Sequence, residues 1–388
     1  MPGLLPHVDP DGLLEYSVVY TDRALNHMSR RFQGVMRDIA GVLEEVYQAD
    51  AAVVVPGSGS FGMEAVARQF ATDQPCLVVR NGWFSFRWSQ ILDMGRIASE
   101  VTVLKARPTG PGAQDPWTPA PLAEVLAAIR QGRPQVVFAP HVETSAGMML
   151  PDDYLQAVAA ATHEVGGLFV LDCIASGAMW VDMRTLGVDV LVSAPQKGWS
   201  GSPCCAFVML SGRAVARMAQ TTSSSFAMDL KKWSQIMDAY KGGGHAYHAT
   251  MPTDALTITR DVMLETRQLG FGALRQAQED LGRDVRALLK AAGYPSVAAP
   301  GFEAPGVVVS YTTDLEVHNS KAFAALGLQT AAGVPLQCDE GPAFRTFRMG
   351  LFGLEKLLNR QRTVASLATA VQALQGAGAS TPLRSAAD

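Results

Sequence analysis

The chain has 388 residues, of which 48% are hydrophobic and 18% charged, and its formal net charge is −4. That length suits one large domain with a smaller second one, and the composition is that of a folded globular protein, which excludes a disordered chain. A slightly acidic balance gives neither nucleic acid nor an anionic membrane as partner. No apolar run is long enough to span a bilayer.

The opening Met1-Pro2-Gly3-Leu4-Leu5-Pro6 lacks the basic start and apolar stretch of a secretory signal. Five cysteines (Cys76, Cys173, Cys204, Cys205, Cys338) show no C-x-x-C spacing. An odd, scattered set in apolar runs reads as reduced core thiols of a cytoplasmic protein, with no metal site expected.

Residues 1–22, with proline, glycine and little periodicity, read as an irregular arm. From 29 to 47 apolar positions recur at helical spacing (Phe32, Val35, Met36, Ile39, Val42, Leu43, Val46). Short apolar runs at 51–55, 76–79, 135–138, 168–171, 188–192 and 204–210 then alternate with helical stretches. Runs without polar alternation indicate strands covered on both faces, and the intervening helices indicate βαβ units. The expected class is α/β with a mainly parallel sheet, in a large domain over 23–258. A long amphipathic stretch at 260–292, interrupted by Gly270 and Gly272, opens a small α+β module over 259–375. Its strands are expected at 306–311 and 346–349, and its later helices at 320–326 and 355–374. The small, polar residues 376–388 read as a disordered tail.

Open parallel sheets bind ligands at the carboxyl ends of their strands, where the notable polar residues fall. After 51–55 comes Pro56-Gly57-Ser58-Gly59-Ser60-Phe61-Gly62, then a helix begun by Met63-Glu64-Ala65. Glycines at such a turn let backbone N–H groups approach a phosphate, and the helix N-terminus favours the anion. Gly57-x-Gly59-x-x-Gly62 also fits the dinucleotide fingerprint, which requires an acid at the end of the following strand. That strand ends Arg80-Asn81-Gly82, which favours a cup for a single phosphate. A glycine-rich turn without ligand also fits this segment. Asn81-Gly82-Trp83-Phe84-Ser85 offers an aromatic face for a flat ring, or a pair of core side chains. His141-Val142-Glu143-Thr144-Ser145-Ala146-Gly147 offers a helix cap, or a contact from Thr144 to a ring hydroxyl.

The run at 168–171 ends on Asp172, and 25 positions later Lys197 follows the run ending at Ser193. A carboxylate and a lysine on successive strand ends are what an enzyme needs to hold pyridoxal phosphate (PLP). The lysine binds the cofactor covalently and the acid keeps the ring nitrogen protonated. As a ring partner Asp172 is buried and ionised, with the opposite charge offsetting its desolvation; the other reading is a helix cap beside Ser176. Lys197 lies between a buried strand and Gly198-Trp199-Ser200-Gly201-Ser202-Pro203, so it loses hydration and gains nucleophilicity. Cys173, beside Asp172, reads as a small packing residue under the ring rather than as a nucleophile.

Taken together, Gly57-Ser58-Gly59 with Glu64-Ala65, Asn81-Gly82 with Arg87, His141 with Glu143–Gly147, Asp172 with Ala175-Ser176, Ser193-x-x-Gln196-Lys197, Tyr247-His248-x-Thr250 and Phe347-Arg348-Met349-Gly350 resemble a known family. It is the class V, fold-type I PLP-dependent aminotransferases, nearest to the alanine/serine–glyoxylate (serine–pyruvate) branch, over roughly residues 25–375. The resemblance implies a seven-stranded-type, mainly parallel sheet between helices, with a small α+β C-terminal domain. It also implies roles. Lys197 is the Schiff-base lysine and proton shuttle, Asp172 the partner of the pyridine nitrogen, and Thr144 a neighbour of the ring oxygen. Phe84 rather than Trp83 stacks on the ring, and Ser176 lies at the cofactor. Ser58, Gly59, Ser60 and Gln196 hold the phosphate, with Tyr247 and Thr250 reaching in from the other subunit of a homodimer. Arg348 clamps the substrate carboxylate bidentately.

Three departures stand out: Ser60 where the family often has histidine, Ala249 after the tyrosine and histidine, and an arm without the Pro-Gly-Pro opening common in relatives. The expected substrates are a small amino donor, alanine or serine, and a small 2-oxo acid, glyoxylate or pyruvate. Alternatives are 2-aminoethylphosphonate–pyruvate transamination, cysteine desulfuration through Cys338, a nicotinamide oxidoreductase resting on Gly57–Gly62, and a non-catalytic binding protein of the same fold.

Overall fold

The apolar runs form strands buried along nearly their whole length. In the computed structural model, which describes residues 13–379, seven of them make one sheet: β1 (Ala51–Pro56), β2 (Pro75–Arg80), β3 (Glu100–Lys105), β4 (Val136–Pro140), β5 (Leu168–Asp172), β6 (Val190–Ser193) and β7 (Cys205–Leu210). Their spatial order is β1-β7-β6-β5-β4-β2-β3. All neighbours are parallel except β7, which runs antiparallel to both β1 and β6. Every residue of β4, β5, β6 and β7 is buried, as a sheet covered by helices on both faces requires. The strand missing from the sequence reading is β3. It lies at the sheet edge, and its Glu-Val-Thr-Val-Leu-Lys sequence is only half-buried, so it offers no apolar run.

Three early helices cover this sheet: α1 (Arg30–Tyr47), α2 (Gly59–Phe70) and α3 (Trp83–Met94). Ser29 Oγ accepts from Phe32 N to start α1, whose buried stripe includes Phe32, Val35, Met36, Ile39 and Leu43. Helix α2 lies so close to the sheet that a Cβ on Gly62 would stand 2.3 Å from Ala206 Cβ and 3.3 Å from Val192 Cγ1. The glycine of the dinucleotide-like string therefore has a packing reason of its own.

The later helices revise the expected domain boundary. Helix α4 (Thr253–Leu269) runs unbroken through 258/259 and buries Leu256 and Met263 in the large core. Arg260 Nη1 also pairs with Asp38 on α1 at 2.8 Å. The chain turns at Gly270, whose φ of 91° suits glycine, and α5 (Phe271–Ala291) buries Leu274, Leu281, Val285 and Leu289 in a second core. The cores thus change over at Gly270, about twelve residues later than expected, while Gly272 sits within α5. The second core covers an antiparallel sheet of β8 (Val307–Tyr311), β9 (Ala331–Ala332) and β10 (Thr346–Gly350), in the order β8-β10-β9. Helix α6 (Arg360–Ala379) continues past 376, where the tail was expected to begin, through Gly376 and Gly378, each of which costs a helix only about 1 kcal/mol. The rest of that tail, and arm residues 1–12, lie outside the described residues. The remainder of the arm folds back: Tyr20 Oη donates to Met251 O at 3.0 Å, and Asn26 Nδ2 donates to Glu15 Oε2 at 2.8 Å. Among the described residues no helix is long and apolar enough to cross a membrane.

The Gly62 contact is testable. Gly62→Ala is expected to destabilise by about 1–3 kcal/mol, because neither Ala206 nor the strand under it can yield cheaply. Gly34→Ala, within α1 and with no atom within 4 Å of the new Cβ, is expected to stabilise by about 0.5–1 kcal/mol. Thermal unfolding of the two variants reads the difference, and equal midpoints would remove the close-approach argument.

Candidate functional site

The carboxyl ends of the strands bring most of the site residues singled out in the sequence to one cavity of about 190 Å³. Ser58, Gly59 and Ser60 line it from the β1–α2 turn, Phe84 from α3 and Thr144 from the segment after β4. Asp172 lines it from the end of β5, and Gln196 and Lys197 from the turn after β6. A larger cavity, about 750 Å³, lies between the segments 103–117 and 338–344. None of these strand-end residues reaches it, so the smaller cavity is the chemically equipped one.

Asp172 is the last residue of β5, opposite Pro140 and Val192 on the flanking strands. Its Oδ1 accepts from Ile174 N at 2.9 Å. Burial pushes its carboxyl up to about 7; the Ile174 N–H opposes this, Glu143 adds to it and Arg87 opposes it. Among the described residues no side chain forms an ion pair with Asp172. It is a buried acid facing a cavity without its cation.

Lys197 sits in a turn that must lie flat against the turn after Asp172. A Cβ on Gly198 would stand 2.1 Å from Gly177 O, which leaves room for glycine only. The Lys197 ammonium is half-buried, with Nζ 5.4 Å from the centre of the Phe352 ring. Burial lowers its pKa first, followed by the charges of Arg348 and Arg87. At a given pH a larger share of it is the free amine.

Ser58 is the N-cap residue of α2, but its side chain makes no capping bond. The hydroxyl of Ser60, one residue into the helix, accepts from Arg87 Nη1 at 3.0 Å. On the other wall the fully buried Glu143 carboxylate accepts five hydrogen bonds. They come from Phe84 N (3.2 Å), Ser85 N (2.9 Å), Ser85 Oγ (2.7 Å), Ser145 N (3.0 Å) and Ser145 Oγ (2.7 Å). Glu143 does cap a helix, but it is α3, some sixty residues earlier in the chain, and not the next one. Arg348 arrives from β10 in the small domain, with Nε donating to Ala332 O at 2.8 Å and its guanidinium 5.5 Å from the Phe84 ring centre.

Four residues named from the sequence, Arg348 among them, stand outside the cavity lining. Ser176 is buried behind it, with Oγ 2.8 Å from His141 Nδ1. His141 is itself held down to about 4 by burial, and so is neutral near pH 7. Tyr247 and Thr250 are exposed, their hydroxyls 3.2 Å apart. Sequence reasoning gave no role to Arg87, Ile174 or Phe352. For Arg87 a signal existed, because it follows Phe84 by three residues and shares its helix face.

None of the five cysteines lines this cavity. All five are buried and unpaired. Burial pushes the Cys338 thiol up to about 12 and the Cys173 thiol well above its usual range. Arg80, where a dinucleotide site needs an acid, donates instead to Gln337 O at 3.1 Å and to Ser89 Oγ at 2.9 Å.

Known proteins resemble this chain in sequence and in fold. The 2-aminoethylphosphonate–pyruvate transaminase 2 of Paraburkholderia xenovorans is 29% identical over 340 residues, covering 86% of this chain and 84% of that protein. A protein of Synechococcus sp. named soluble hydrogenase, small subunit, is 27% identical over 338 residues, with the same coverage. The crystal structure of an alanine–glyoxylate aminotransferase from Nostoc sp. superposes with a TM-score of 0.76 at 22% identity, over 90% of this chain and 88% of that one, so the fold is that of the fold-type I PLP-dependent transferases. Residues 13–323 match the family described as aminotransferase class V. The chain therefore belongs to the class V aminotransferases, which are PLP-dependent enzymes.

Proposed function

We propose that this transaminase moves an amino group from a small amino acid, alanine or serine, to a small 2-oxo acid, glyoxylate or pyruvate, in two half-reactions. The observation that carries the reading is that Lys197, Asp172, Phe84 and the uncapped N-terminus of α2 share one cavity, beside Arg348. These residues fit PLP. The Asp172 carboxylate lacks a cation that a protonated ring nitrogen supplies. The start of α2 offers N–H groups and hydroxyls to a phosphate, with Gln196 beside them. Phe84 offers a face to the ring, and Thr144 a hydroxyl to its oxygen.

When bound, PLP supplies the electron sink that makes the substrate Cα proton removable. Lys197 carries that proton off Cα, and burial with two nearby guanidiniums favours the free amine that the task needs. Arg348 orients the substrate: with Nε committed to Ala332 O, its two Nη groups remain for a carboxylate. Tyr247 and Thr250, exposed and outside their own chain's cavity, fit a homodimer in which they complete the partner's phosphate site. The exposed Phe226 (77%) and Tyr247 (54%) leave apolar surface for such an interface.

A second reading is 2-aminoethylphosphonate–pyruvate transamination. It is favoured by the string His141-x-Glu143-Thr144-x-x-Gly147 and by the name of the Paraburkholderia relative. A panel of amino donors, read by 2-oxo acid formation, separates the two. Turnover of alanine or serine supports the first reading; turnover of the phosphonate alone selects the second.

Lys197→Ala is expected to lose transamination by at least about a hundredfold; a variant as active as the wild type would refute the role. Asp172 gives a pH test. Its carboxyl titrates at about 7 when folded, against an ordinary value of 3.8. The folded chain therefore keeps a proton that the unfolded chain releases, and ionising Asp172 costs stability increasingly as pH rises between those values. Asp172→Asn is expected to raise the thermal midpoint of the cofactor-free protein more at pH 8 than at pH 5, while weakening PLP binding. The opposite pH order would show that burial does not dominate at Asp172.

A further inference from the structure

We propose that Arg87 is a ligand of the cofactor's phosphate, supplied by the same subunit, so that the cavity distinguishes phosphorylated from unphosphorylated vitamin B6. The inference rests on the assignment of the cavity to PLP and adds a residue to which that assignment gives no part.

Three observations converge. Arg87 Nη1 is 3.0 Å from Ser60 Oγ, which ties the guanidinium to the start of α2, where the Ser58 side chain provides no cap. Among the described residues no carboxylate forms an ion pair with Arg87. Asp172 acts on it only through space, and Glu143 already accepts five hydrogen bonds. Finally, Arg87 stands on the same helix face as Phe84, its guanidinium 5.4 Å from that ring's centre, so it cannot drift far from the cavity.

Among the described residues the hydrogen-bond acceptor of this half-buried guanidinium is a neutral hydroxyl, which leaves most of its charge unmatched. A helix N-terminus beside it carries the same sign of charge. Both costs are offset by one dianion in the cup, and a guanidinium fork matches a phosphate edge-on in a way a lone hydroxyl cannot. The substrate carboxylate is a poorer candidate, because Arg348 has two free Nη groups and no tie to the α2 end.

The test uses the full chain, freed of cofactor and titrated separately with PLP and with pyridoxal, with binding read by quenching of protein fluorescence. Arg87→Ala is expected to weaken PLP binding by at least about tenfold, the worth of one charge-assisted hydrogen bond. Its affinity for pyridoxal should stay within about twofold of the wild type. Arg87→Lys, which keeps the charge without the fork, should fall between the two and guards against a folding defect in the alanine variant. Equal losses for PLP and pyridoxal, or no loss for either, overturn the proposal. So does a variant with wild-type PLP affinity whose only defect is a raised KM for doubly acidic donors, since Arg87 would then serve the substrate. A wild-type chain that binds neither form overturns this inference together with the assignment beneath it.

Discussion

The site depends on a carboxylate that solvent does not reach. Burying an unpaired charge costs several kcal/mol, and the structure offsets this for Glu143 with five donors from two segments and with the N-terminal end of the α3 dipole. The consequence is geometric. The start of α3 is clamped to the segment after β4, so Phe84 and Arg87, on its first turns, are held at the cavity that Asp172 also lines. The His141 N–H donates to Asp172 O at 2.8 Å, which ties the same segment to the end of β5. Aromatic wall, guanidinium and acid are thus positioned by one connected set of hydrogen bonds rather than by three independent loops.

Against that frame the charges of the cavity are left out of balance. Asp172 is the acid that lines it, while Lys197, Arg87 and Arg348 bring three cations to the same region. Burial, and then the two guanidiniums, lowers the pKa of Lys197, and burial raises that of Asp172, so each ionised form is held at a cost. A ligand carrying a phosphate, a carboxylate and a protonated ring nitrogen relieves all of them together. Such a site gives up stability of the empty chain in favour of affinity for the loaded one, as local conflicts at functional sites generally do.

Much of this was legible in the sequence because strand ends of a parallel sheet are predictable places. The apolar runs ending at Asp172 and before Lys197 reveal two neighbouring strands, and the residues that follow must then face the same edge. What escaped reading is what depends on contacts far apart in sequence. Glu143 reads locally as a cap for the helix after it, and only the fold shows that it caps α3. Edge strand β3 is half-polar because one side of it meets solvent, so no apolar run announces it. The boundary placed at 258/259 falls inside α4, whose sequence is continuous with the amphipathic stretch of α5, whereas Leu256 and Met263 belong to the large core. The chain turns at Gly270, and its φ of 91° distinguishes it from Gly272, two residues on.

The same division explains why the cofactor is easier to read than the substrate. The cavity is lined from the large domain by residues at strand ends and on the helices that follow them, whereas Arg348, the proposed substrate anchor, comes from the small domain. Arg348 is held by Ala332, and Phe352, whose ring centre lies 5.4 Å from Lys197 Nζ, follows a residue whose carbonyl accepts from Gln278 Nε2 at 3.2 Å. Leu354 N in turn donates to Ser200 Oγ at 2.8 Å, joining this turn to the one that carries Lys197. The two domains therefore meet at the lysine. The carboxylate clamp proposed for Arg348 would suit any amino acid, so Arg348 says little about the donor. The space around Phe352, by contrast, is set by how the small domain seats against the lysine turn, a relation that no local stretch of sequence encodes.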